Sequence, residues 1–281
     1  MNYRHAYHAG NFADVFKHIV LTMLVEKLQE KEKPFCVLDS HAGTGLYSFN
    51  STEAQKTLEY ESGVTQLFAQ KNLDPLFKPY MDLVRSFNTH SADGLPIIHY
   101  PGSPLIIQRY LREQDRLLAN ELHKDDFRKL EMNCEQDPCI KLFKQDAYTW
   151  INAELPPLEK RGLTLIDPPY ETPDEMKKLN KTIRGVYSKF SHGMYAIWFP
   201  IKLHYPIQHF YQSLKTNRIK NVLAAELCLH PCTDPDRLNG CGLVLINPPW
   251  QLEEKLKVIL PQLLDCFSRK GYGKWMVEQI S

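Results

Sequence analysis

The run Asp167-Pro168-Pro169-Tyr170 carries the strongest chemical signal in the chain, directly after the apolar residues 163–166. Two consecutive prolines fix two φ angles and remove two backbone donors, so this loop is stiff. The Asp167 carboxylate and the Pro168 carbonyl can then both accept hydrogen bonds from one planar amine. The Tyr170 ring offers a stacking face for a base. The run predicts catalysis by alignment of an amine nitrogen with an electrophilic carbon; the alternative is a proline-rich loop that caps a strand.

The same pattern occurs a second time as Asn247-Pro248-Pro249-Trp250. We expect only Asp167 to react, because it ends the fourth predicted strand, beside the first. Asn247 ends the seventh predicted strand, farther from the glycine turn at 41–45, so we expect it to be structural.

A glycine turn follows the first predicted strand, in the sequence VLDSHAGTG at 37–45. Gly43 and Gly45 let a ligand approach the backbone closely, and ligands of doubly wound sheets bind at the carboxyl ends of strands. The spacing matches neither the G-x-G-x-x-G dinucleotide pattern nor a P-loop. It resembles the first motif of S-adenosylmethionine-dependent methyltransferases; a tight turn without a ligand is the alternative.

Two acidic residues end the next predicted strands. Glu121 is placed to bind a ribose diol, although it lies far beyond the ~20 residues usual after the glycines, which a helical block inserted at 48–98 explains. Asp146 is placed to accept a hydrogen bond from the adenine amine of a cofactor. The alternatives are an exposed carboxylate for Glu121 and a helix N-cap for Asp146.

The N-terminal segment mixes cationic and aromatic side chains, a combination that suits RNA because rings stack on bases and cations meet phosphates. Tyr3, Arg4 and Lys17 are the candidate RNA contacts, and a frayed basic tail is the alternative. His18 and His41 could form a metal pair, but no third ligand has suitable spacing, so we expect no metal.

Short apolar runs alternate with helical patterns along most of the chain, which predicts a parallel sheet with helices on both faces. The predicted strands are seven: 35–39, 116–121, 140–146, 163–167, 194–200, 222–230 and 242–250.

The composition is that of an ordinary globular protein, with 43% hydrophobic and 24% charged residues, so disorder is excluded. No apolar run approaches the roughly 20 residues that a membrane span needs, and we expect no signal peptide, because the first residues are polar and basic. The 7 cysteines form no Cys-x-x-Cys pair, which indicates reduced thiols and a cytoplasmic protein. The net charge of only +1 means that RNA binding must depend on a local patch.

Taken together, these segments resemble the bacterial 23S rRNA adenine-N6 methyltransferases of the RlmJ type, from residue 3 to about residue 250. The segments that carry the resemblance are YRHAYHAGNFADVFKH, DSHAGTG, YPGSP, LREQD, NELH, LIDPPY, YAIWFP and INPPW.

The resemblance implies a class I, Rossmann-like methyltransferase fold with a seven-stranded sheet. The methyltransferase domain would be 1–47 and 99–281, with residues 1–18 at the cleft and 48–98 as an inserted helical subdomain. It further implies a monomer that uses S-adenosylmethionine to methylate the N6 amine of a flipped-out adenine in 23S rRNA. Asp167 would also touch the cofactor, together with the other implied cofactor contacts: His18, His41, Ser103, Glu121, Asp146 and Ala147. A DNA adenine-N6 methyltransferase and a non-catalytic RNA-binding module remain as alternatives.

Overall fold

The computed structural model describes residues 4–89, 95–134, 136–268 and 271–281. Its strands are β1 (Cys36–Asp39), β2 (Leu46–Ser48), β3 (His99–Pro101), β4 (Arg116–Asn120), β5 (Ile140–Phe143), β6 (Gly162–Ile166), β7 (Met194–Ile201), β8 (Val222–Cys228), β9 (Gly240–Ile246) and β10 (Lys274–Gln279). Its α-helices are α1 (Phe12–Gln29), α2 (Thr52–Thr57), α3 (Gln66–Phe68), α4 (Lys78–Ser86), α5 (Ser103–Gln108), α6 (Lys124–Cys134), α7 (Ala147–Glu154), α8 (Glu175–Lys189), α9 (His204–Thr216) and α10 (Leu252–Phe267).

The main sheet has 8 strands in the order β10-β8-β9-β7-β6-β1-β4-β5. The strands β1, β4, β5, β6 and β7 are mutually parallel, whereas β9 and β10 run antiparallel to their neighbours. The sheet has eight strands where seven were predicted, and the prediction of a parallel sheet holds for β1, β4, β5, β6 and β7 only. A loop at 229–239 without a helix joins β8 to β9, and such a short connection returns the chain antiparallel. β10 escaped prediction because it is an edge strand whose side chains are mostly exposed.

Helices cover both faces of this sheet. β1, β6, β8 and β9 are buried along their whole length, as expected of strands covered on both sides. α1, α5 and α10 pack on one face, and α7, α8 and α9 pack on the other. The parallel strands therefore bring their carboxyl ends together at one edge of the sheet. No helix in the described ranges is long and apolar enough to cross a membrane.

A two-stranded antiparallel ribbon of β2 and β3 pairs Ser48 with His99. The helices α2, α3 and α4 lie between these strands in the chain; α2 contacts the turn at His5–Tyr7, α3 contacts α10 and α4 contacts α1. The backbone N–H of Val64 donates to the carbonyl of Gly10 at 2.8 Å. This contact is so close that a Cβ on Gly63 would lie 2.1 Å from the Gly10 oxygen. The limits 48–98 for an inserted subdomain remain a prediction.

Candidate active site

A cavity of about 380 Å³ opens at the carboxyl edge of the parallel strands. Its size falls within the ~300–1,000 Å³ of small-molecule sites. It is lined both by the Asp167–Tyr170 run and by the glycine turn at 41–43, which lie after the adjacent strands β6 and β1. The structure thus joins the two motifs that the sequence singled out.

Glu121, which directly follows β4, fixes the glycine turn through a hydrogen bond to its backbone. One Glu121 oxygen accepts the Gly43 N–H at 2.9 Å and the other accepts the His123 N–H at 2.7 Å. Burial raises the pKa of Glu121, and these two N–H donors oppose that shift. Gly43 has φ +64, and a Cβ there would lie 2.1 Å from the Tyr47 hydroxyl, so the turn requires glycine.

The loop after β6 is fixed at its aromatic end. Tyr170 has φ 50, and its hydroxyl donates to the carbonyl of Trp198 at 2.8 Å. The two rings lie 5.9 Å apart and inclined at 60°. Both residues line the cavity, so its wall beside Asp167 is aromatic.

A chain of alternating charges runs from the N-terminal segment to Asp167. Lys17 Nζ lies 2.5 Å from Asp167 Oδ2 and 2.9 Å from Asp14 Oδ1. Asp14 Oδ2 also lies 2.7 Å from His5 Nε2 and accepts the Gly10 N–H at 3.0 Å. Asn11 caps α1 through the N–H groups of its first turn, and so fixes the start of the helix that carries Asp14 and Lys17.

Burial and pairing act in opposite directions on these charges. Burial would lower the pKa of Lys17, but the attraction of Asp14 and Asp167 outweighs it, and the pKa lies well above its ordinary value. Burial would likewise raise the pKa of Asp14, yet His5 and Lys17 hold it well below its ordinary value. The Lys17 side chain is only 6% exposed. A buried, doubly paired ammonium has its charge already compensated, and a contact between Lys17 and RNA stays a prediction.

The two predicted cofactor histidines line the cavity and are neutral at neutral pH. Burial lowers the pKa of His41 to about 4 and that of His18 to about 3. His41 Nδ1 contacts the hydroxyl of Ser40 at 2.7 Å. His18 Nδ1 contacts the hydroxyl of Tyr100 at 2.9 Å.

The remaining predicted residues lie in different places. Ser103 lines the cavity, whereas Asp146 and Ala147 are not among its lining residues. Asp146 is exposed and caps α7 by accepting the N–H and the hydroxyl of Thr149, which is the alternative raised by the sequence. Arg4 lies 3.0 Å from Asp126 and does not itself line the cavity. Tyr3 lies outside the described residues.

The second proline motif lies at the opposite edge of the sheet. It follows β9, which is antiparallel to β7 and places Ile246 opposite Tyr195, near the start of β7. The Asn247 side-chain amide donates to the carbonyls of Ser191 and Gly193, each at 2.8 Å. Strand direction, in addition to distance, separates Asn247 from the cavity.

Sequence reasoning missed two carboxylates near Asp167. Asp14 could have been found, because Asp14, Lys17 and His18 recur at helical spacing within an otherwise apolar helix. Asp39, the last residue of β1, is fully buried, and Ser103 and the His41 backbone only partly offset the effect of burial on its pKa. Burial raises the pKa of Asp39 to about 7. The sequence did not indicate the burial of Asp39, because buried and exposed aspartates at the end of a strand have the same sequence pattern.

Comparison with known proteins identifies the family. The model of the family described as "Ribosomal RNA large subunit methyltransferase D, RlmJ" matches residues 32–281. The chain is 40% identical over 281 residues to "Ribosomal RNA large subunit methyltransferase J" of Haemophilus influenzae, covering 100% of this chain and 99% of that one. It is 38% identical over 283 residues to the Escherichia coli protein of the same name, covering 99% and 100%.

A solved structure also matches. Protein LPL1258 from Legionella pneumophila superposes with a TM-score of 0.87 at 35% identity, covering 97% of this chain and 98% of that one. With the family match, this confirms the class I methyltransferase fold expected from the sequence, with eight strands in its main sheet. The chain belongs to the RlmJ family of ribosomal RNA large subunit methyltransferases.

Proposed function

We propose that this chain transfers a methyl group from S-adenosylmethionine to the N6 amine of an adenine in 23S ribosomal RNA. The observation that carries the proposal is the shared cavity, which joins the Asp167 loop to the glycine turn and Glu121. The names of the relatives support ribosomal RNA as the substrate. The finer target, adenine 2030, and a monomeric state come from the family resemblance.

The charge of the cavity fits a cationic cofactor. Two lysines, Lys17 and Lys202, line it, and Lys17 is already neutralised by its two partners. Neutral imidazoles at positions 18 and 41 do not repel a sulfonium, as imidazolium groups would. The excess of negative charge comes from five lining carboxylates: Asp14, Glu121, Asp126, Asp167 and Asp236.

Glu121 is placed to accept hydrogen bonds from a ribose diol, and Gly43 leaves the room that a side chain would fill. S-adenosylmethionine, when bound, supplies an electrophilic methyl group. These residues provide its binding surface, and the chemistry of the amine belongs to the loop after β6.

The amine is held by acceptors on a rigid loop. Lys17 binds one oxygen of Asp167 and so orients the carboxylate, whose other oxygen accepts one N6 hydrogen. The Pro168 carbonyl accepts the second hydrogen, and the ring of Tyr170 stacks on the base. The N6 lone pair would form the new C–N bond to the methyl carbon of S-adenosylmethionine, while the electron pair of the broken S–C bond would stay on the sulfur as a neutral thioether. The proton that N6 then releases would pass to Asp167 or to water.

The test is methyl transfer to unmodified 23S rRNA transcripts and to duplex DNA, with the modified adenines mapped by mass spectrometry. The transcript should be methylated and the duplex should not. Asp167→Asn should lower kcat by about 10²–10⁴-fold. Asp125→Asn is the matched control, because Asp125 is 60% exposed on α6 and should leave kcat unchanged.

Three results would overturn the proposal. If Asp167→Asn keeps kcat within a few-fold of the wild type, the loop is not catalytic. If DNA is methylated in preference to the transcript, the substrate is wrong. A chain that fails to bind S-adenosylmethionine in calorimetry would be a non-catalytic module.

A further inference from the structure

One face of β7 leads from the inside of the cavity to its mouth. Side chains alternate along a strand, so Trp198 and Pro200 share a face of β7; both line the cavity, as does Lys202 directly after the strand. Trp198 and Pro200 are half-buried, whereas Lys202 is exposed. The lysine therefore stands where a ligand enters.

An exposed aromatic ring follows directly, in the first turn of α9. Tyr205 is 69% exposed, and its ring packs against the ring of His209 one turn later, at 4.4 Å and 80°. This contact supports the edge of the tyrosine ring while the side chain remains open to solvent. Trp250 is 78% exposed, but it belongs to the proline motif at the opposite edge of the sheet.

A buried asparagine joins the end of β7 to the β8–β9 loop. The Asn239 side-chain amide donates to the carbonyl of Lys202 at 2.8 Å and to that of Asp234 at 2.7 Å, and its N–H donates to the carbonyl of Ile201 at 3.0 Å. The same loop carries Arg237, which is 56% exposed. The two segments thus form one fixed surface beside the cavity.

We propose that this surface, the rim of Lys202, Tyr205, His209 and Arg237, binds the unpaired nucleotides that flank the target adenine. This inference rests on the proposed function. Tyr205 stacks on a neighbouring base, and Lys202 and Arg237 meet the phosphates on either side. Because the net charge is only +1, RNA affinity depends on local cations. Lys202 lines the cavity, and Arg237, 3.7 Å from Asp234, lies on the adjoining β8–β9 loop.

The experiment measures KM for an unmodified 23S rRNA transcript and Kd for S-adenosylmethionine in matched variants. Tyr205→Ala should raise the RNA KM by about 5- to 150-fold, the effect of losing one base–aromatic stack. Tyr205→Phe keeps the ring and should restore the wild-type KM. Trp250→Ala removes an equally exposed ring from the opposite edge and should have no effect. Lys202→Gln should reduce the slope of log KM against log salt by about 0.7–0.9.

The outcomes separate the two proposals. If the wild type methylates the transcript and Tyr205→Ala keeps its KM, or changes it no more than Trp250→Ala, the rim does not bind RNA. A Tyr205→Phe variant as weak as Tyr205→Ala would also exclude stacking. If the wild type binds S-adenosylmethionine but methylates no transcript, the proposed function itself fails. The Kd for S-adenosylmethionine should be the same in the wild type and in the Tyr205 and Trp250 variants, and a parallel loss of cofactor affinity would indicate general disruption.

Discussion

Replacing Lys17 with methionine should destabilise the fold, because it removes the buried cation between two carboxylates. Asp14 is 3% exposed and Asp167 is 18% exposed. Breaking a buried pair by removing one partner typically costs about 3–5 kcal/mol. Asp14 keeps His5 and the Gly10 N–H as partners, and water reaches Asp167, so we expect about 3 kcal/mol. At ~2–4 °C per kcal/mol for large domains, Tm should fall by about 6–12 °C.

Thermal unfolding followed by circular dichroism provides the measurement. The matched control is Lys27→Met, since Lys27 lies on the same helix and contacts Glu30 at 2.6 Å but is 32% exposed. Such surface pairs contribute at most about 1 kcal/mol. If the Tm of Lys17→Met lies within about 2 °C of the Tm of Lys27→Met, the buried charge chain does not stabilise the fold.

Acid provides an independent check on the same pair. The folded-state pKa of Asp14 lies well below its ordinary value of 3.8, so its ionised form stabilises the fold above that value. This stabilisation is lost as pH falls through the folded pKa. Lys17 is one cause of the shift, so the stability difference between the wild type and Lys17→Met should narrow as the solution becomes acidic. A constant difference from pH 7 down to pH ~2 would contradict this assignment.

Three further predictions concern other parts of the molecule. The pKa of Asp39 is raised from 3.8 to about 7, so its stability contribution should fall by up to about 4 kcal/mol as pH rises through this window. Asp39→Asn should abolish that slope in urea unfolding at pH 5 and 8, and an unchanged slope would assign it to other groups. Gly63→Ala places a Cβ 2.1 Å from the Gly10 oxygen and should cost about 1–3 kcal/mol in thermal unfolding. Gly185→Ala, with its nearest neighbour at 3.1 Å, is the control, and equal stability of the two variants would argue against the close contact. Glu121→Gln loses an acceptor for a buried N–H and should weaken S-adenosylmethionine binding by about 5- to 150-fold in calorimetry; unaltered affinity would remove Glu121 from the cofactor site.

The sequence predicted the parts of the fold that depend on local patterns. The buried strands were found because each is a continuous apolar run bounded by turn residues. The direction of β9 was not predicted, because it depends on the length and structure of the segment that connects β8 to β9 and not on the residues of the strand itself. β10 was missed because the strands were predicted from apolar runs, and an exposed edge strand contains no such run.

The site was predictable where a rigid motif carries the chemistry. Asp167 and Tyr170 are set by two prolines and the end of a strand, and both are visible in the sequence. The role of Lys17 was not visible, because whether a helical lysine faces solvent or a carboxylate 150 residues away depends on tertiary packing. For Asp146 the position was visible in the sequence but the role was not, since a carboxylate that caps a helix and one that binds a ligand have the same sequence pattern.

The contact between the segment that joins β2 to β3 and the N-terminal segment limits how this chain can be shortened. The Val64–Gly10 hydrogen bond and the bonds of Glu59 to His8 and Asn11 anchor the residues that start α1. A minimal enzyme made by joining β2 directly to β3 would retain the whole eight-stranded sheet. It would nevertheless lose the hydrogen bonds that hold the start of α1. Asp14 and Lys17, which the beginning of this helix carries, would then no longer be held in place beside Asp167.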